Sequence, residues 1–456
     1  MSQSKATFTS KIGLIAATVG SAVGLGNVWR FPAETQANGG AAFLFVYILC
    51  LIILGVPVML AEFSLGRGTK SDAVGAFMKL KPKTPWWITG GLAVLASYLI
   101  LSFYMVVAGW TFEYLWQSVT GNLYAIDNAN IGMEASFHAK MENYICADVP
   151  PLVNLYVLIA VNIIVLLCGV QKGIERLSNI LMPLLFILLL IFCGVSLSLP
   201  DASEGLKFFL SPDFSKITPG VIVNALGQSF FSLSLGMGIL ITYSSYFPKD
   251  TKLTKTALTV SLLDLLVAIM MGIIIFPAVS SFGLNGAELR GTTLVFVTLP
   301  EIFSQMHFTQ LWSILFFLLL FVAALTSTIS IAEVSVAWLQ DRFKRSRVSA
   351  TLIVMLPLFL LSSLCSLSFG SLNGIKFFGM TIFDFLDNLA TNIFLPIVSI
   401  LVCLFIGWVV RKEFLHKEIT NNGRLKVPFY PIIHFVIKFI APPLIFLILL
   451  SYFIKF

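Results

Sequence analysis

The chain has 456 residues, of which 58% are hydrophobic and only 11% charged, and it carries a net charge of +7. So much apolar surface cannot hide in one water-soluble core, and lipid is the solvent for most of the chain. No basic patch with interleaved aromatics accompanies the positive charge, which excludes a nucleic-acid binder and leaves the charge as a topology signal.

In chain order the sequence predicts eleven apolar helices, at about 11–35, 41–65, 86–118, 151–169, 176–199, 220–246, 256–281, 307–338, 348–368, 382–410 and 431–454. Each is near the roughly 20 residues that cross ~30 Å of hydrocarbon, and the strand alternation of a membrane barrel is absent. The first starts close to Lys11, runs long and lacks a small-residue cleavage site, so it does not read as a removable signal peptide. Within it stands SAVGLGNVWRFP, residues 21–32, where Gly24, Gly26, Asn27, Arg30 and Pro32 interrupt the helix. Unpaired backbone groups in hydrocarbon cost several kcal/mol each, so such a break survives only where it lines a cavity or binds something.

A second break is expected in the sixth segment, at SLSLGMG, residues 232–238. If helices one to five and six to ten are repeats, at 11–199 and 220–410, the two breaks occupy matching positions. Residues 1–10 then form a leading segment, 411–430 a loop and 431–456 a last helix outside the repeats. A pair of glycine-interrupted helices in matching halves points to a secondary transporter with its site at the midplane. Glycines that merely let helices pack closely are the alternative.

The basic residues set the orientation. With the N-terminus cytoplasmic, most of the 29 Lys and Arg fall on that side, in groups around Lys11, Lys79, Lys172, Lys252, Arg345 and Lys417. The opposite loops hold few, among them Lys140, Lys207, Lys216, Arg290 and Lys376. An odd number of helices then puts the C-terminus outside, with the chain in the plasma (inner) membrane. Five of the six cysteines lie in apolar segments and Cys146 is alone in an outer loop, so no structural disulfide is expected. The four histidines are scattered, and no Walker, Rossmann or nucleophile-elbow pattern stands in a plausible context, which argues against an enzyme or an ATP-driven pump.

GNVWRFP followed by NGGAAF, GVPVMLAEFSLGR (55–67), KGIER (172–176), GQSFFSLSLGMG (227–238) and LTSTIS (325–330) resemble the neurotransmitter:sodium symporters, bacterial leucine-transporter-like members above all. The resemblance covers nearly the whole chain. It implies an all-α membrane protein of the leucine-transporter fold, five-plus-five inverted helices plus one, with helices one and six unwound at the midplane. It also implies sodium-driven uptake of an amino acid. The chain departs from the usual twelve helices by ending after eleven, which puts family-based dimer contacts in doubt and leaves a monomer or weak homodimer as the expectation.

The resemblance assigns a first sodium to the Ala22 carbonyl, Asn27, Ser232, Asp264 and the substrate carboxylate. A second goes to the Gly20 and Val23 carbonyls with Ala323, Thr326 and Ser327. Na⁺ is a hard cation that takes such oxygen ligands, and positions 323, 326 and 327 share one helix face. On spacing alone, Thr326 and Ser327 bonding back to their own turn is the favoured reading, and the resemblance reverses that preference. Asp264, in SLLDLLVAIMMG, stands where many relatives carry Asn. An unpaired carboxylate at bilayer depth costs at least ~2.5 kcal/mol, so a cation partner or a cavity is expected; the resemblance implies chloride-independent transport, since chloride-dependent members have a neutral site there. A protonated Asp264 bonding neighbouring helices is the alternative.

For the substrate, the resemblance marks Ala22, Gly24, Leu25 and Gly26 along the first break, with Ile100, Tyr104, Phe231, Ser232, Ser234, Met237, Ser327 and Ile331 around it. Tyr104 would hold the carboxylate and Leu25 lie above the side chain. No acidic residue stands where monoamine carriers place one, and the apolar lining with an adaptable Met237 favours hydrophobic L-amino acids, aromatic ones included. Arg30 with Asp387, Asp384 being the weaker candidate, and Gln228 with Phe231 would close the outer side. Lys5 with Asp341, helped by Phe8 and Tyr246, would close the inner side, though Lys cannot form a bidentate fork. A proton-coupled carrier, an ion channel and a non-transporting amino-acid sensor are the rival readings.

Overall fold

The computed structural model describes residues 6–125, 133–283 and 291–454. Nine of its helices are long and apolar enough to cross a membrane, and a tenth crossing is the pair Lys11–Ala22 and Gly26–Ala37, bent by 55°. The expected sixth segment is also two helices, Pro219–Ser232 and Ile239–Ser245, parted by residues 233–238. With that pair, the described residues account for all eleven apolar segments, and both anticipated breaks are present.

Helix ends follow local chemistry. The Ser10 hydroxyl accepts the Gly13 N–H at 2.8 Å to start the first helix, and Thr218 with Pro219 behind it starts the sixth by accepting the Val221 N–H at 3.3 Å. Ser346 and Thr381 cap the ninth and tenth spans likewise. The fifth span begins earlier than expected, at Val170, because Gly169 takes φ +80° and turns the chain sharply after Leu167. Short helices that the apolar pattern did not announce fill the connections, at Ala73–Leu80, Met133–Ile145, Ala202–Leu210 and Lys412–Ile419.

Burial sorts the spans into inner and outer ones. In the most apolar stretch of Thr309–Phe343, 78% of residues are buried, and 72% in Ala41–Thr69 and Leu253–Ser281, against 39% in Val149–Leu167 and Arg347–Leu367 and 22% in Tyr430–Ser451. The eighth and third spans, Thr309–Phe343 and Trp87–Thr120, pack on each other along their length, and the two broken helices lie between inner spans. The breaks are thereby shielded from lipid, as unpaired backbone requires.

Candidate functional site

The two breaks face one another across a buried cavity. Ala22, Gly24 and Gly26 from the first break line it together with Ile100 and Tyr104 from the third span. Phe231, Ser232, Ser234 and Met237 come from the second break, and Ser327 and Ile331 from the eighth span. Ser21, which the sequence reading passed over, joins them. Leu25 does not line the cavity. Its side chain is packed into the core, because the break turns its backbone inward instead: the Leu25 N–H donates to the Tyr104 hydroxyl at 3.1 Å.

Side chains hold the unwound backbone in place. Ser234, at φ +53°, donates from its hydroxyl to the Ser21 carbonyl at 2.9 Å, tying one break to the other. The Ser97 hydroxyl donates to the Met237 carbonyl at 2.9 Å. Glu62, fully buried on the second span, accepts the Gly236 N–H at 2.8 Å through Oε1. Gly24 owes its identity to a close approach: a Cβ there would stand 2.7 Å from Ser327 Oγ and 2.9 Å from the Tyr104 hydroxyl.

At one edge of the cavity Asn27, Ser232 and Asp264 converge. The Asn27 amide donates to Asp264 Oδ1 at 2.9 Å and to Ser232 Oγ at 3.2 Å, and the Ser232 hydroxyl donates to Asp264 Oδ2 at 2.7 Å. Tyr47, not singled out in the sequence, donates to the same Oδ2 at 3.4 Å. All four side chains are buried and Asp264 is wholly so. Neither of the ion pairs described below involves it. Carboxylate, amide and hydroxyl oxygens in a dry setting are a donor set suited to a hard monovalent cation. Among the described residues no group of three His, Cys, Asp or Glu could hold a metal ion, so a transition-metal centre has no counterpart here.

A second oxygen-rich contact joins the first and eighth spans. Ser327 Oγ lies 3.4 Å from the Val23 carbonyl, to which it donates, and Gly20 packs directly on Thr326. Thr326 itself donates back to the Val322 and Ala323 carbonyls, each at 3.1 Å. The two neighbours thus divide between the readings the sequence left open, Ser327 bonding across and Thr326 bonding back.

On the Arg30 side of the cavity, the expected direct Arg30–Asp387 pair does not form. The guanidinium lies over the Phe231 ring, 4.5 Å from its centroid, while Asp387 Oδ1 accepts the Thr391 hydroxyl at 3.3 Å. Thr391, one turn on in the same helix, is simply the nearer donor, and the ring face offers Arg30 a desolvated alternative. Gln228 donates to the Gly26 carbonyl at 3.5 Å, beside Phe231. Asp384 serves as a reciprocal cap with Thr381.

On the opposite side, Lys5 lies outside the described residues. Asp341 accepts the Asp72 N–H at 2.9 Å, and Phe8 packs edge-on against Tyr243 and Tyr246. A further hold on this end was missed in the sequence. Glu175, in KGIER, accepts the Thr9 N–H at 2.9 Å, the Thr9 hydroxyl at 2.7 Å and the Ser10 N–H at 3.0 Å, so a carboxylate from beyond the fourth span caps the first helix. Nearby, Arg347 forms a bidentate pair with fully buried Glu333 at 2.7 and 2.6 Å, and Tyr246 donates to the same carboxylate at 2.8 Å. Arg67 is a third hub, bonding Glu418 at 2.7 Å and Asn421 at 2.7 Å. A buried charged group within an apolar helix was the available signal for Glu62 and Glu333. Nothing in the local sequence identifies their partners.

Comparisons with known proteins give one answer along the whole chain. The model of the sodium:neurotransmitter symporter family matches residues 5–144 and 138–456. An uncharacterized sodium-dependent transporter of Bacillus subtilis (strain 168), YhdH, is 38% identical over 451 residues, 98% of each chain. One from Haemophilus influenzae is 34% identical, covering 98% of this chain and 97% of that one. Among solved structures, the crystal structure of MhsT in complex with L-phenylalanine matches with a TM-score of 0.88 at 42% identity, over 98% of this chain and all of that one.

Proposed function

The chain belongs to the sodium:neurotransmitter symporter family, has the leucine-transporter fold and is no enzyme, and from that premise we propose that it imports hydrophobic L-amino acids, aromatic ones included, coupled to sodium and independent of chloride. One observation carries the reading: a buried carboxylate, Asp264, with no cationic side chain paired to it among the described residues, meets Asn27 and Ser232 at the edge of a largely apolar cavity.

The cavity's chemistry fits a zwitterion. An α-carboxylate needs donors, and the Tyr104 hydroxyl and the backbone N–H groups of the first break are at hand. Ile100, Phe231, Met237 and Ile331 offer apolar surface to the side chain, and no acidic residue lines the cavity to receive an amine that lacks a carboxylate. The phenylalanine bound by the similar MhsT is consistent with such a lining.

Sodium is cargo in this scheme. One ion sits with Ala22, Asn27, Ser232 and Asp264 and shares the substrate's carboxylate, so that each solute raises the affinity for the other. The second sits with Gly20, Val23, Ala323, Thr326 and Ser327, bridging the first and eighth spans. Asp264 contributes the negative charge that a neutral residue there would have to borrow from chloride. The repeats run over 11–199 and 220–410. The N-terminus is cytoplasmic in a plasma (inner) membrane and the C-terminus outside, in line with the distribution of Lys and Arg.

Arg30, Phe231, Gln228 and Asp387 gate one side, while the Thr9–Ser10–Glu175 cap, Asp341 and Lys5 gate the other. Alternating closure of these contacts biases the chain between two states.

The test is uptake of labelled leucine, phenylalanine, tryptophan and tyrosine into proteoliposomes with an inward Na⁺ gradient, then with K⁺ replacing Na⁺. Concentrative uptake only with Na⁺ is expected. Uptake indifferent to Na⁺ would remove the roles given to Asn27, Asp264 and Thr326.

A further inference from the structure

Lys438 lies within an apolar helix, and among the described residues no ion pair involves it. It is the only Asp, Glu, Lys or Arg in the last span, Tyr430–Ser451, and stands about 12 Å along the axis from the first residue. An ionisable side chain at that depth normally has a partner. Its ammonium lies 4.2 Å from the centroid of the Trp408 ring and 5.3 Å from that of Phe439, and the Trp408 indole N–H donates to the Lys438 carbonyl at 3.1 Å. Aromatic faces position the charge without neutralising it. The ion pairs described above lie elsewhere.

More positive charge gathers at the same corner. His434 stands one turn before Lys438 on the same helix. Tyr430 brings Lys412 in by donating its hydroxyl to the Lys412 carbonyl at 3.1 Å, and its ring sits between His416 and His434. The outward surface beside these groups is aromatic, with Trp408, Phe435 and Phe439 all exposed on the least buried span. Ammonium groups beside a lipid-facing aromatic wall match the two parts of a phospholipid.

We propose that this corner, where the tenth span meets the eleventh, binds an anionic phospholipid. Its headgroup phosphate sits between Lys412 and Lys438, and an acyl chain lies along Trp408, Phe435 and Phe439. The site is separate from the transport cavity and needs only that the chain resides in a bilayer.

The experiment is native mass spectrometry of the purified full-length chain offered phosphatidylglycerol or, separately, phosphatidylcholine with the same acyl chains. Phosphatidylglycerol is retained in preference, Lys438→Gln lowers its retention roughly fivefold, and Lys417→Gln, on the neighbouring linking helix, leaves it unchanged. Equal retention of both lipids, or undiminished retention by Lys438→Gln, overturns the proposal. So does a protein dimer lost in Lys438→Gln without any lipid, because the face would then be a contact between copies. Should Lys438→Gln fail to fold, Lys412→Gln replaces it with the same readings.

Discussion

Asn27, just past the first break, donates its amide to the Asp264 carboxylate at 2.9 Å and to the Asp264 backbone carbonyl at 3.3 Å. The pair ties the second half of the broken first helix to the continuous seventh one, Leu253–Ser281, and leaves the other carboxylate oxygen to Ser232 and Tyr47. An ion entering among these oxygens has to displace bonds that the side chains make to each other, so binding and local rearrangement are linked.

Asp264→Asn removes the negative charge while keeping the shape and most of the hydrogen bonds. Uptake of leucine or phenylalanine in gluconate buffer should fall at least roughly tenfold, and chloride should restore part of it. Uptake in gluconate equal to that of the unaltered chain would mean that Asp264 supplies no charge to the cycle.

Gly24→Ala places a methyl group 2.7 Å from Ser327 Oγ and 2.9 Å from the Tyr104 hydroxyl, at the floor of the cavity. The fold should persist, as judged by an unchanged elution profile, and substrate-induced thermal stabilisation should vanish. Undiminished stabilisation by phenylalanine would place the substrate elsewhere.

Glu62→Ala leaves the Gly236 N–H buried without its acceptor, at a cost of ~1–3 kcal/mol. Because Gly236 holds φ +78° in the second break, the loss falls on the unwound backbone and lowers both thermal stability and uptake. Glu62→Gln keeps a carbonyl oxygen for the same N–H and should restore much of both. Equal damage from the two variants would show that the acceptor oxygen is not what matters.

Glu333→Ala strands the Arg347 guanidinium, which keeps only its bonds to Gln340 and the Leu166 carbonyl. Breaking a buried pair costs roughly 3–5 kcal/mol, so thermal unfolding in detergent should move down by several degrees. Replacing both partners, Glu333→Met with Arg347→Met, should be milder than Glu333→Ala alone. A double variant worse than the single one would contradict this account.

Which segments cross the bilayer, where the first and sixth are interrupted, and which residues face one another within a helix were all legible in the chain. Each follows from local physics: apolar length, glycine content and the 3.6-residue period. Asn27 and Asp264 also stood out as polar groups in an apolar setting, whereas Ser327 was marked by the family resemblance alone. What those groups bond to was decided only when the helices packed. Leu25 turns its N–H to Tyr104 and its side chain away from the cavity, Arg30 takes the Phe231 ring in place of Asp387, and Glu175 caps a helix well over a hundred residues earlier. These are contacts between distant segments, each chosen among several donors or acceptors of similar strength. Nearest distance and exclusion of water settle that choice, and neither exists until the tertiary structure does.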